Sequence, residues 1–364
     1  MFQGQGLRWV VLLSVMVAGA RVFGDEQEME RLISPQLLKA GKLQSVWDTK
    51  LPMEKNERLE KMVIIGEQIY ALSDRNFLAC INRQTGSVLY SRTIAEAGMP
   101  FLGLELYKDK LFCVMGDKLV ELNAELGTEV SSRRLGYVVL CPPARNSEYF
   151  YVSGEDKRIH TLRAADGVEL LEVSAEDDSA IVTLLADEEF VIFGTDTGKV
   201  VRLAPGEPRR MWQFAAQEGI AGEIVPDGNS VYFASRDTNV YRLELKNGQL
   251  VWKYQMAAKL EKSPRVSGTV VYQPVAGKGV SAIEKSSGKL MWDFAGGAEV
   301  LTEADNKAYI ITEDGELVVM NNKQAKVVYS VNFSAVERYA VNLQDSLIYV
   351  GDEEGRIACL KPIE

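Results

Sequence analysis

The stretch VYFASRDTNVYRLELKNGQLVWKY, residues 231–254, decides the fold. An apolar run opening at Val231 leads into a short polar turn around Asp237, and a second run from Asn239 to Leu243 follows. Both show the period-two alternation of half-buried strands. A second turn carries Asn247-Gly248, and Trp252 stands four residues beyond that glycine. The stretch therefore reads as strands joined by tight turns, with an aromatic at a fixed place on the last.

The same phrase recurs on both sides of it. Copies read IYALSDRNFLACI (69–81), YFYVSGEDKRIHTL (149–162), VIFGTDTGKVVRL (191–203), VVYQPVAGKGVSAI (270–283), AYIITEDGELVVM (308–320) and IYVGDEEGRIACL (348–360). A shortened copy, LFCVMGDKLVEL, occupies 111–122. The anchors Tyr70, Phe112, Tyr151, Ile192, Tyr232, Tyr272, Tyr309 and Tyr349 are 37 to 42 residues apart. Six residues past four of these anchors stand Asn76, Gly198, Gly315 and Gly355, the residue types that tolerate the left-handed backbone of a hairpin turn. Tyr90, Trp252 and Trp292 follow a turn glycine by four residues, and Trp212 and Tyr329 hold the same place where that glycine is displaced or missing. An apolar stretch before each anchor supplies one more strand. Four strands in about 40 residues make a propeller blade. A lone blade has open edges and too small a core, and radial stacking buries its faces.

The last copy stops four residues after Leu360 and lacks its fourth strand. SVWDTKLP (45–52) carries the tryptophan phrase of a fourth strand with no blade of its own. The expected fold is an all-β, eight-bladed propeller of four-stranded antiparallel blades, closed by residues 45–51, which complete the last blade with Trp47. The propeller then spans 45–364. Residues 1–24, with Arg8 ahead of an apolar run from Trp9 to Ala20, read as a signal peptide cleaved after Ala20 or Gly24. The run is too short to cross a bilayer as a helix. Residues 25–44 are rich in charge and helix formers. They are expected to form a short helical extension, interrupted at Pro35 and lying outside the main fold.

Composition narrows the chemistry. The formal net charge is −10, and loss of Arg8 and Arg21 with the leader makes it more negative, so nucleic acid is excluded as a partner. The single histidine, His160, leaves no Ser-His-Asp triad or His-rich metal site unless it serves alone. Cys80, Cys113, Cys141 and Cys359 form no CxxC pair and are expected to be buried free thiols.

These phrases resemble the pyrroloquinoline-quinone-like (quinoprotein-type) repeat family, whose repeat reads VYVG-turn-GxLYALD-xTGxxxW. VYFASRDTNVYRLELKNGQLVWKY is a close match, and IYALSDRNFLACINRQTGSVLY and VVYQPVAGKGVSAIEKSSGKLMW are good ones. The resemblance covers 45–364 and implies an eight-bladed propeller docked through its tryptophans. In size the propeller is similar to the scaffold lipoprotein of the outer-membrane β-barrel assembly machinery, although no cysteine for lipidation stands near the leader's end. The family also contains quinoprotein dehydrogenases, which hold calcium with Glu, Asn and Asp, stack a tryptophan on the quinone and often carry vicinal cysteines. Here there is no Cys-Cys pair, and Trp47, Trp212, Trp252 and Trp292 are all assigned to fourth strands.

Other candidates carry bland readings. Asp74, Asp156, Asp196, Asp237, Asp314 and Asp352, with Glu155, Glu313 and Glu353 beside them, fall in first hairpin turns, where Asp bonds its own backbone. An acidic ring for calcium or a basic partner is the sharper alternative. His160 is expected at a rim, partly buried. The pairs Arg133-Arg134 and Arg209-Arg210 read as solvated. Glu223, Lys262, Arg265, Glu303 and Arg338 belong to first strands lining a wet central channel. No catalytic, cofactor-binding or metal residue is assigned, and no cofactor is expected. The sequence points to an exported, periplasmic or extracellular, monomeric and non-enzymatic platform for protein partners. The alternative is a PQQ- or calcium-dependent quinoprotein oxidoreductase.

Overall fold

The computed structural model describes residues 31–363. The expected signal peptide and residues 25–30 lie outside the described residues. Within them the strands assemble into eight four-stranded antiparallel sheets. Each of the first seven is built from four consecutive strands, first to fourth from the channel outward. Blade 5 shows the pattern, with strands Ile220–Asp227, Ser230–Ser235, Asn239–Glu244 and Leu250–Gln255. Its hairpin turn bends at Thr238, which has φ 74°. The positive φ foreseen at Asn76, Gly198, Gly315 and Gly355 is present at all four.

Eight clusters of buried side chains hold the blades together, and each cluster is shared by two consecutive blades. One is typical: Phe190, Ile192 and Trp212 of blade 4 pack with Ile224, Phe233 and Tyr241 of blade 5. Another joins Tyr349, Ile357 and Cys359 of blade 8 to Leu59, Ile69 and Ile81 of blade 1, so the ring is closed. Both faces of every sheet are therefore covered.

Closure runs through the strand Leu43–Lys50, which pairs antiparallel with Arg356–Pro362 and sets Trp47 opposite Cys359. It starts two residues before the expected boundary at Ser45. Trp47 donates its indole N–H to the Arg83 carbonyl of blade 1 at 3.0 Å. Arg83 is itself buried and donates to the Tyr349 hydroxyl (3.0 Å) and to Asp345 (2.6 Å), both on blade 8.

The segment before this strand differs from expectation. Its described residues, 31–42, hold one helix, Pro35–Ala40, which opens at Pro35 with Ser34 as its cap. Proline suits the first helical position, where its missing N–H has no partner to lose. These described residues do not lie apart from the fold. Leu32, Ile33, Leu38 and Leu43 enter the core cluster of blades 7 and 8 beside Val331 and Phe333. The Tyr329 hydroxyl donates to the Gly41 carbonyl at 2.8 Å. Four buried aliphatics outweigh the charged residues around them, since each contributes about 1.5–3 kcal/mol on burial.

Candidate functional site

Each blade carries a row of three paired residues running outward across its second, third and fourth strands. In blade 5 the row is Tyr232, Arg242, Trp252; in blade 6 it is Tyr272, Ala282, Trp292. The terminal tryptophan leans on its own blade's tyrosine, with ring centroids 6.0 and 5.9 Å apart, and reaches the next blade. Trp212 donates to the Leu245 carbonyl and Trp252 to the Lys285 carbonyl, both at 2.9 Å. Beneath the ring lies a turn glycine. A Cβ on Gly288 would stand 2.6 Å from the Trp252 ring, and Gly288 also has φ 71°, so no other residue type fits without a shift. This aromatic latch explains the glycine-then-aromatic rhythm of the sequence.

Blades 2 and 3 break the pattern. Their rows are Phe112, Glu121, Ser131 and Tyr151, Thr161, Leu171, with no aromatic at the outer end. Charge takes its place at the junction between them. Arg145, on the first strand of blade 3, donates to Glu121 at 2.8 Å, and both side chains are more than nine-tenths buried. The guanidinium carbon lies 4.3 Å from the ring centres of both Tyr107 and Phe150. Glu121 also accepts from the Ser131 hydroxyl at 2.8 Å. Burying such a pair costs desolvation that only good geometry offsets, and these contacts supply it. Arg133 lies over Gly167, where the other junctions place a ring, and donates to the Asp166 carbonyl at 2.6 Å.

The seam opens at both ends. On the outer wall a groove of about 720 Å³ is lined by Lys110, Glu121, Ser131, Arg133, Arg134 and Phe150, among others. Toward the channel a second cavity of about 380 Å³ is lined by Tyr107, Phe112, Arg145, Glu105 and Glu223. Glu105 is open to channel water yet ringed by protein. That enclosure and the nearby Glu223 carboxylate push its pKa up to about 7. On the first strands of the neighbouring blades 6 and 7, Arg265 pairs with Glu299 at 2.9 Å. Lys262 donates to the Ala298 carbonyl and Arg338 to the Leu59 carbonyl. Glu303 accepts from the Tyr272 hydroxyl.

The turn aspartates take up structural duties. Asp74, Asp196 and Asp237 accept the backbone N–H groups of Arg58, Ala180 and Gln217, which lead into the first strands. Asp352 accepts from the backbone and guanidinium of Arg356. These bonds support the turn reading over a calcium ring. All four cysteines are buried and free. Burial pushes the Cys141 thiol up to about 11 and those of Cys113 and Cys359 up to about 12, which removes them as thiolate nucleophiles near neutrality. His160 is more deeply buried than expected, between Asp156 and Glu169. Of the arginine pairs read as solvated, Arg134, Arg209 and Arg210 pair with Asp117, Glu207 and Glu176 on the exposed wall.

Glu105, Glu121 and Arg145 are the residues that sequence reasoning missed. A signal was present, because the fourth-strand aromatic is absent from these two copies alone. A bound quinone does not fit the residues present. All four described tryptophans are buried latches or closures on fourth strands, and none is free to stack on a ring in the channel.

Fold and repeat together define a β-propeller whose repeats are similar to the PQQ-like class. Within that class the chain is similar to the outer membrane protein assembly factor BamB, whose family model matches residues 196–331 and 236–363. Among solved structures, BamB from Moraxella catarrhalis is 15% identical, with a TM-score of 0.66 over 88% of this chain and 97% of that one. The computationally designed Ika8 protein is 13% identical, with a TM-score of 0.66 over 87% of this chain and 99% of that one. No curated protein matches the sequence. No described helix is long and apolar enough to cross a membrane.

Proposed function

We propose that this chain is an exported, non-enzymatic propeller that binds protein partners as a scaffold in the cell envelope. The observation that carries the reading is the seam between blades 2 and 3. There the ring gives up its aromatic latch, buries a charge pair instead, and leaves a groove on its outer wall. The fourth strands on either side present Val130 and Leu170 to solvent. Lys110, Arg133 and Arg134 gather cations there on a protein of net charge −10. A partner segment offering an aromatic side chain beside carboxylates suits this groove: the ring fills the place above Ser131 and the acids meet the arginines. The match to an outer membrane protein assembly factor supports an envelope role of this kind.

The test installs the missing latch. Ser131→Trp fills the outer end of the groove as the other blades fill theirs. Wild-type protein immobilised against an envelope extract is expected to retain a partner that the folded variant loses. Retention by the variant equal to wild type places the partner elsewhere. Reduction of a dye with alcohols or sugars after addition of pyrroloquinoline quinone and calcium overturns the non-enzymatic reading.

A further inference from the structure

We propose that His160, Glu169 and Glu172 form a binding site for a divalent transition-metal ion of the zinc class, held by the third and fourth strands of blade 3. The site lies beside the partner groove, and Arg133 borders both. The third strand of the blade, Arg158–Arg163, pairs with the fourth, Glu169–Ser174, so that His160 stands opposite Glu172. One ligand atom from each of His160, Glu169 and Glu172 lies within 4.8 Å of the other two. Bonds of about 2.0–2.2 Å to nitrogen and oxygen, with tetrahedral angles, place ligand atoms a little over 3 Å apart. The three groups reach that spacing by side-chain rotation alone, because both glutamates are exposed.

Both ring nitrogens of the imidazole face carboxylates. Its Nε2 lies 3.1 and 3.2 Å from the two Asp156 oxygens, and its Nδ1 lies 2.7 Å from Glu169 Oε1. A neutral imidazole has one N–H and one lone pair, so it satisfies only one of these carboxylates. The other contact sets lone pair against lone pair unless a second proton or a metal ion lies between. Asp156 is placed to accept Nε2–H, which fixes the tautomer and turns the Nδ1 lone pair toward the two glutamates. This is the carboxylate–histidine–metal arrangement that orients imidazole ligands in metal sites. The ring itself is held: Tyr137 stacks on it at 3.7 Å between centroids. The Tyr137 hydroxyl is buried without a hydrogen-bond partner. The charges close by are Asp156, Glu169 and Glu172 against Arg133 and Arg158, the latter paired with Glu172. With a neutral histidine that balance leaves negative charge for a cation to meet. An imidazole ligand beside two carboxylates selects zinc-class ions over calcium, which takes oxygen ligands.

Calorimetric titration of the full chain, stripped with chelator, with Zn²⁺ and then Co²⁺ tests the site. One ion per chain is expected, and Co²⁺ is expected to give the visible bands of a low-coordinate site. Glu169→Gln and His160→Gln should each weaken binding at least about tenfold, and Asp156→Asn should weaken it about 10–100-fold. Glu169 and Glu172 are half exposed, so their glutamine variants keep the test open if His160→Gln fails to fold. Absence of stoichiometric uptake overturns the proposal. So does Ca²⁺ binding as tight as Zn²⁺, or Zn²⁺ binding unchanged in Glu169→Gln.

Discussion

Blades 5 and 6 meet through Trp252 seated on Gly288, whereas blades 2 and 3 meet through Arg145 buried against Glu121. The first junction is an apolar latch, an indole packed on a turn glycine of the next blade. The second places two charges out of water and leaves a polar, open slot beside them. Burial of an indole against a glycine stabilises directly, while a buried ion pair contributes little beyond what its desolvation costs. The same ring thus joins its blades in two ways, one apolar and one through a buried charge pair.

The largest expected effect removes a junction altogether. Replacing Leu43–Lys50 with a glycine–serine linker leaves blade 8 with three strands and takes Trp47 from Gly86 and Arg83. Chemical unfolding should lose its single cooperative transition, and a transition as sharp as wild type would mean that closure lies elsewhere. Next comes Trp252→Ala, which removes the indole that spans blades 5 and 6. It should cost about 3–5 kcal/mol in urea unfolding. A loss below about 1 kcal/mol would show that the latch is ornamental.

A smaller effect belongs to the channel end of the seam. Glu105 has a folded pKa raised to about 7 by enclosure and by Glu223, above the ordinary value of 4.5. Between those values the unfolded chain has released a proton that the folded chain still holds. Stability should therefore fall as pH rises through this window. Melting temperatures across pH 4.5–7 should show this decline in wild type and a flatter profile in Glu105→Gln. Identical slopes would contradict it.

Much of this was legible in the residues. The 37-to-42-residue spacing of the anchors, the glycine turns and the unpaired Trp47 phrase predict eight blades and their closure, because each depends on local periodicity. The seam was half legible. Ser131 and Leu171 stand where other copies carry an aromatic, but the pairing of Glu121 with Arg145 joins charges from different blades and leaves no periodic trace. Glu121 also shares its row position with Arg202 and Arg242, so charge there is no signal by itself. The packing of Leu32, Ile33 and Leu38 was hidden for a similar reason: their partners, Val331 and Phe333, lie almost a chain length away. His160 was a single residue until the strand register placed Glu172 across from it and the turn brought Asp156 beneath it.

The difference between the two kinds of junction is tested most directly by unfolding Glu121→Ala beside the double variant Glu121→Leu, Arg145→Met. Removing Glu121 alone strands a buried guanidinium and should cost about 3–5 kcal/mol, while the double replacement should stay near wild type or exceed it. A single variant as stable as wild type, or a double variant worse than the single, would mean that blades 2 and 3 are not joined through this charge pair.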